Sequence, residues 1–166
     1  MAKEDKELIL KDLCARSFYG VKVTVPIMSF IEGQDPYTEP IELVSVNAVD
    51  MTCTVGDRYA QTSGIKMFNR KGELVCKPYL RPMFSMTEEE KKEYKALCIE
   101  KTFTFGTWQK VKWYDTWKSI DWLNAHHFDY RGLIEKGLAI EVTEDNNPYV
   151  HRTYADMMKA KEKQQL

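Results

Sequence analysis

Apolar residues recur along this chain with two periods, and the changes between them predict a mixed architecture. Leu8, Ile9, Leu13 and Cys14 form a narrow apolar stripe among lysines and glutamates, which predicts a helix over residues 4–16 closed by Ser17–Gly20. From Val21 the period drops to two: Val21, Val23, Val25 and Ile27 alternate with Lys22 and Thr24, a half-buried strand whose Pro26 marks an edge or a bend. Glu32–Pro36 reads as a turn or loop. Between Ile41 and Val55 the alternation slips phase, from Ile41 and Leu43 to Val44 and Val46, then to Val49, Met51, Cys53 and Val55. That slip calls for a bulge or a tight turn near Asn47.

After a loop over residues 56–64, Ile65–Phe68 and Leu74–Cys76 flank Asn69-Arg70-Lys71-Gly72, a hairpin built on a type I turn with a left-handed glycine. Lys77–Pro82 is expected to leave the sheet, because its two prolines cannot donate to a ladder. Thr87 and Glu90 form a capping box for a helix ending near Lys101, with Tyr94, Leu97 and Cys98 as its stripe. Thr102–Val111 is strand-like around Gly106.

The segment Trp113–Val142 holds three of the four tryptophans and is the expected anchor. Trp113, Trp117, Ile120 and Leu123 fall at helical spacing, so they are read as one inward face. Asp129 is placed to cap the N–H groups of Arg131 and Gly132 in a short helix that Gly137 ends, and Leu138, Ile140 and Val142 then alternate as a strand. Glu144–Asn147 is a polar turn. Asn147 caps a last helix with Pro148 in its first turn and Val150, Tyr154, Met157 and Met158 on its apolar face.

The expected fold is therefore α+β in one domain over residues 1–166. A small antiparallel sheet, or a partial SH3-like or OB-like barrel, occupies about 18–82, and a helical part occupies about 87–163. Composition agrees: 43% hydrophobic and 30% charged residues suit a globular chain. A net charge of −1 gives no general affinity for nucleic acid or anionic membrane. Without a signal-peptide pattern or a bilayer-length apolar run, the expected compartment is the cytoplasm. Cys14, Cys53, Cys76 and Cys98 show no paired metal-ligand spacing and are expected to be free, mostly buried thiols. No cofactor is expected.

Three phrases carry a family likeness: LCARSFYGVKV, KPYLRPMFSMTEEEK and IDWLNAHHFDYRGLIEKGLAIE. In wording and order they resemble small proteins of gut Bacteroidales and of their phages and prophages, over about residues 8–23, 77–91 and 119–141. The resemblance implies a phage or prophage accessory protein acting inside the host cell, and implies no activity. Region 26–64 departs from the likeness and is a place for variable binding specificity.

Three functional readings follow. The favoured one is a non-enzymatic protein that binds another macromolecule, a protein rather than a nucleic acid, through the sheet edge or region 26–64. A nucleic-acid module would use Trp108, Lys110 and Lys112, where aromatic and basic residues interleave as they do on single-strand platforms. A metal-assisted hydrolase would be built around His126, His127 and Asp121. Adjacent histidines on a helix diverge by about 100°, however, so they do not make the i, i+4 grip on one ion. Trp117 separates the first two readings: a buried ring marks core, an exposed ring marks a platform.

Overall fold

The computed structural model describes residues 1–27, 37–56, 63–98, 100–105, 109–114 and 116–150. The chain is α+β, and its first half is a curled half-barrel. Helix α1 (Lys3–Arg16) leads through a turn at Gly20, φ 68°, into β1 (Lys22–Ile27). Strands β2 (Tyr37–Asn47), β3 (Thr52–Val55) and β4 (Ser63–Lys66) follow, and the four pair antiparallel in the order β1-β2-β3-β4. Both devices that the phase slip allowed are present. The β2–β3 register shifts between Leu43 and Ser45, and a turn follows Asn47, whose Oδ1 accepts the N–H groups of Val49 and Asp50. Val49 and Met51 consequently lie in that turn rather than on a strand face, and Val49 is exposed.

The hairpin after β4 forms as its sequence directs, with Phe68 bridging Leu74 and Gly72 at φ 75°. Its return arm then ties the two edges of the half-barrel together. Val75 N–H donates to Met67 beyond β4, while Thr24 of β1 donates its hydroxyl to the Val75 carbonyl and its N–H to the Lys77 carbonyl. Lys77 N–H returns to Thr24 Oγ1, and Pro78 bridges Val23. Lys77–Pro82 thus leaves the four-stranded sheet, as expected, but only after Lys77 and Pro78 have paired with β1, and it goes on to join a second sheet. Pro78 and Pro82 need no ladder donors here because carbonyls and the intervening N–H groups do the pairing. Tyr79–Leu80 (β5) runs parallel to Ile140–Glu141 (β8), with Ile140 and Val142 donating to the carbonyls of Pro78 and Leu80.

A 3-10 turn at Met83–Ser85 precedes α2 (Glu88–Leu97), which opens on the expected capping box: Glu90 N–H to Thr87 Oγ1 at 3.2 Å and Thr87 N–H to Glu90 Oε2 at 2.8 Å. Strands β6 (Glu100–Phe105) and β7 (Gln109–Tyr114) form a two-stranded ribbon of their own between α2 and α3 (Thr116–Ala125). The last helix expected from the sequence lies outside the described residues beyond Val150; its first residues form a turn in which Asn147 Oδ1 accepts the Tyr149 N–H, and Val150 is exposed. The loops at 32–36 and 57–62 also lie outside the described residues.

The core is built by α1 lying on the half-barrel. Ile9 and Leu13 meet Val21, Val23, Val25, Leu43, Val55 and Met67, and Leu133, Leu138 and Ala139 close the end. A second cluster gathers Met86, Leu123 and Phe128 with Tyr94 and Trp122 between α2 and α3. Two cysteines depart from expectation: Cys53 and Cys76 are buried free thiols, but Cys14 and Cys98 are exposed, because each falls at the solvent margin of its helix.

The anchor segment is partly rearranged. Trp113 belongs to β7 and not to a helix, so the proposed four-residue face does not exist. On α3 the inward positions are Ser119, Leu123 and Asn124, while Trp117 is 60% and Ile120 36% exposed. Nor do residues 129–137 make a helix. Asp129 accepts the N–H groups of Leu133 and Ile134 rather than those of Arg131 and Gly132. Gly137, φ 67°, ends a single turn in which Gly137 N–H reaches the Ile134 carbonyl and Leu138 N–H the Leu133 carbonyl. That pair of bonds is the Schellman pattern, so the glycine stop holds although the helix before it is one turn long.

Candidate functional site

Two places concentrate polar chemistry: a buried junction between the half-barrel and the helical part, and the outward face of α3. At the junction, Asp12 and Arg16 stand one helical turn apart on α1, both wholly buried. Arg16 Nε donates to Asp12 Oδ2 at 2.7 Å, and its Nη2 to the Phe128 carbonyl at 2.7 Å. Arg131 Nε is 3.3 Å from Asp12 Oδ1, a charge contact without hydrogen-bond alignment. Burial pushes the Asp12 carboxyl up from its ordinary value, with Arg16 and Arg131 opposing that shift.

Arg81 links the junction to α2. Its guanidinium holds Glu90 with two bonds of 2.6 and 2.9 Å and lies 4.3 Å from the Phe128 ring centre. The hydrogen bond from Arg81 lowers the Glu90 pKa. The Arg81 N–H donates to the His127 carbonyl, and its own carbonyl accepts from Asp129 N–H, both at 2.8 Å. The segments around Arg16, Arg81 and Phe128 therefore interlock here.

The histidines face different surroundings. His126 stacks on Trp122 at 3.9 Å, and its Nδ1 lies 2.9 Å from the Trp122 carbonyl. His127, at φ 59°, stacks on Tyr149 at 4.0 Å. The Tyr149 hydroxyl accepts from Lys22 N–H and donates to the Tyr79 carbonyl. Burial, with the nearby Arg16 cation next in importance, lowers the His127 pKa to about 4, and its Nδ1 has no hydrogen-bond partner among the described residues. Asp121 hydrogen-bonds Tyr19 and raises its pKa, an effect second to desolvation. The structure does not gather His126, His127 and Asp121 on one ion: among the described residues no group of three or more His, Cys, Asp or Glu could hold a metal. What the junction offers is support: Arg16, Arg81 and Tyr149 each reach another part of the chain, while Asp12 Oδ1, Arg16 Nη1, His127 Nδ1 and Arg131 Nε have no hydrogen-bond partner among the described residues.

The outward face of α3 is different. Trp117 and Ile120 stand about one turn apart in solvent, and the Lys118 ammonium lies 5.4 Å from the Trp117 ring centre. In the sequence the ribbon immediately precedes α3. In its register Lys110 pairs with Thr104 and Lys112 with Thr102, while Trp108 lies outside the described residues. Two further exposed apolar side chains, Met83 and Phe84, sit on the 3-10 turn before α2. The Asp12–Arg16 pair escaped the sequence reading because i, i+4 opposite charges usually mark a solvated helix face. Only the burial of both reveals their role.

Among the described residues no helix is long and apolar enough to cross a membrane. No protein-family model matches the chain, and no curated protein or solved structure matches it either.

Proposed function

We propose that this protein is a non-catalytic binding module whose contact surface is the outward face of α3 together with the ribbon that precedes it, and that single-stranded nucleic acid is its partner. One observation carries the reading: Trp117 is 60% exposed with a lysine ammonium over its ring. A tryptophan left in water forgoes the stabilisation its large apolar surface would gain by burial, and a base can stack on it whatever the sequence. Lys118 beside the ring is placed to meet a phosphate, and Lys110 and Lys112 are the basic positions of β7, the strand that precedes α3 in the sequence. The net charge of −1 supplies little long-range attraction, so stacking carries the affinity. With three lysines engaged, the logarithm of the binding constant should fall against the logarithm of salt with a slope of about −2.

A protein partner is the second reading, favoured by Ile120 beside Trp117 and by the exposed Phe84. The setting, a phage or prophage accessory protein within a host cell, rests on the resemblance alone. Titrating the protein with a single-stranded oligonucleotide of about 16 nucleotides, read by tryptophan fluorescence, separates the two. Quenching that saturates supports nucleic acid. No change at low salt removes it and leaves the protein partner.

A further inference from the structure

Cys53 and Cys76 come from segments 23 residues apart, yet their Sγ atoms meet at 3.2 Å. Cys53 sits inside β3, where its backbone pairs with Val46 of β2 and Ile65 of β4. Cys76 lies on the return arm that ties β4 to β1, next to Val75 and Lys77, whose bonds to Thr24 join the two edges. Both thiols are buried, whereas Cys14 and Cys98 stand in solvent. Packing alone accounts for a buried cysteine. It does not account for two of them sulfur to sulfur at the one place where a covalent bond would tie a central strand to the strap across the half-barrel's edges.

We propose that Cys53 and Cys76 form a reversible dithiol–disulfide pair, oxidised by a small hydroperoxide, whose closure locks the strap onto β3. Burial excludes bulky oxidants and selects a small one. The Cys53 sulfur attacks the peroxide O–O bond, becoming a sulfenic acid while the other oxygen leaves as water once protonated. Cys76 then attacks Cys53 Sγ, the S–S bond forms, and the sulfenic oxygen leaves as a second water. Two thiols and one hydroperoxide of hydrogen thus give one disulfide and two waters, with two electrons passing from sulfur to oxygen. The hydrogen bond to Cys76 lowers the Cys53 thiol's pKa, whereas the same contact, with burial adding to it, raises that of Cys76. Cys53 is accordingly the attacking sulfur and Cys76 the resolving one. In a reducing compartment the bond would be transient, set by the balance of oxidant and thiol.

The test uses the full chain and the variant Cys14→Ser/Cys98→Ser, which keeps only the buried pair. After hydrogen peroxide, with alkylation of remaining thiols under denaturing conditions, peptide mapping should find Cys53 joined to Cys76, two hydrogens lighter and protected from alkylation. The thermal midpoint should rise by about 5–10 °C and return on reduction with dithiothreitol. Cys76→Ser should abolish the rise. Both cysteines still alkylated, a bridge to Cys14 or Cys98 instead, sulfinic acid at Cys53 without a bridge, or a bridge that leaves the midpoint unchanged would each overturn the proposal.

Discussion

Arg16 and Phe128, 112 residues apart, are joined by a 2.7 Å hydrogen bond from a fully buried guanidinium to a backbone carbonyl. The same guanidinium neutralises Asp12, so one side chain ties α1 to the turn that ends α3. A buried ion pair adds little net stability over a well-packed apolar pair, but breaking one strands the remaining charge. Arg16→Met should therefore cost about 3–5 kcal/mol. Asp12→Leu/Arg16→Met should recover a substantial part, because no carboxylate is then orphaned. Urea denaturation of the two variants checks this, and a single variant within about 0.5 kcal/mol of the parent would show that the junction is not structural.

His127 should make the protein acid-sensitive. Its pKa in the folded state is lowered to about 4, below the ordinary value of 6.5, so the folded state binds the proton less readily than the unfolded chain does. The contribution is complete above about pH 6.5 and is lost as the pH falls toward 4, up to about 3 kcal/mol in all. His127→Asn, which does not titrate and tolerates a left-handed backbone, should flatten that part of the stability-against-pH curve. Identical curves for parent and variant would show that the imidazole does not titrate within the fold.

Thr87→Ala removes the hydroxyl that accepts the Glu90 N–H and should cost about 1 kcal/mol, read as a lower denaturant midpoint at unchanged slope. An unchanged midpoint would mean that the Arg81–Glu90 pair holds the start of α2 without the cap.

These features differ in how legible they were. Short-range chemistry was readable: Thr87 with Glu90, Gly72 in its hairpin, Gly137 as a stop, and the phase slip around Asn47 each depend on neighbours a few residues away. The inward face of α3 was not. Periodicity assumes that apolar means inside, yet here Ser119 and Asn124 face inward, the Ser119 hydroxyl satisfied by the Thr116 carbonyl of its own helix and the Asn124 carbonyl oxygen by the Tyr130 hydroxyl. Trp113, one helical turn before Trp117 in spacing, lies in a strand instead. The parallel pairing of Tyr79–Leu80 with Ile140–Glu141 is two residues long and has no period to read. Nor does i, i+4 spacing show that Asp12 and Arg16 are buried, since the chain that covers them, at Phe128, is 112 residues away from Arg16.

Leu123 and Trp117 belong to the same helix and should respond in opposite ways. Leu123→Ala opens a cavity between α2 and α3 and should cost about 2–5 kcal/mol. Trp117→Ala should change stability by no more than about 0.5 kcal/mol, since its ring stands in solvent. Thermal or urea unfolding of the two variants side by side checks the assignment, and a severely destabilised Trp117→Ala would return that ring to the core.

The most direct test of the binding surface is the affinity of Trp117→Ala for a single-stranded oligonucleotide, measured at low salt beside the parent. Stacking on an aromatic ring contributes about 1–3 kcal/mol per base, so the dissociation constant should rise by about 5-fold to 150-fold while the melting curve stays with the parent's. Equal affinities for parent and variant, or binding by neither, would contradict the assignment of the α3 face as a nucleic-acid platform.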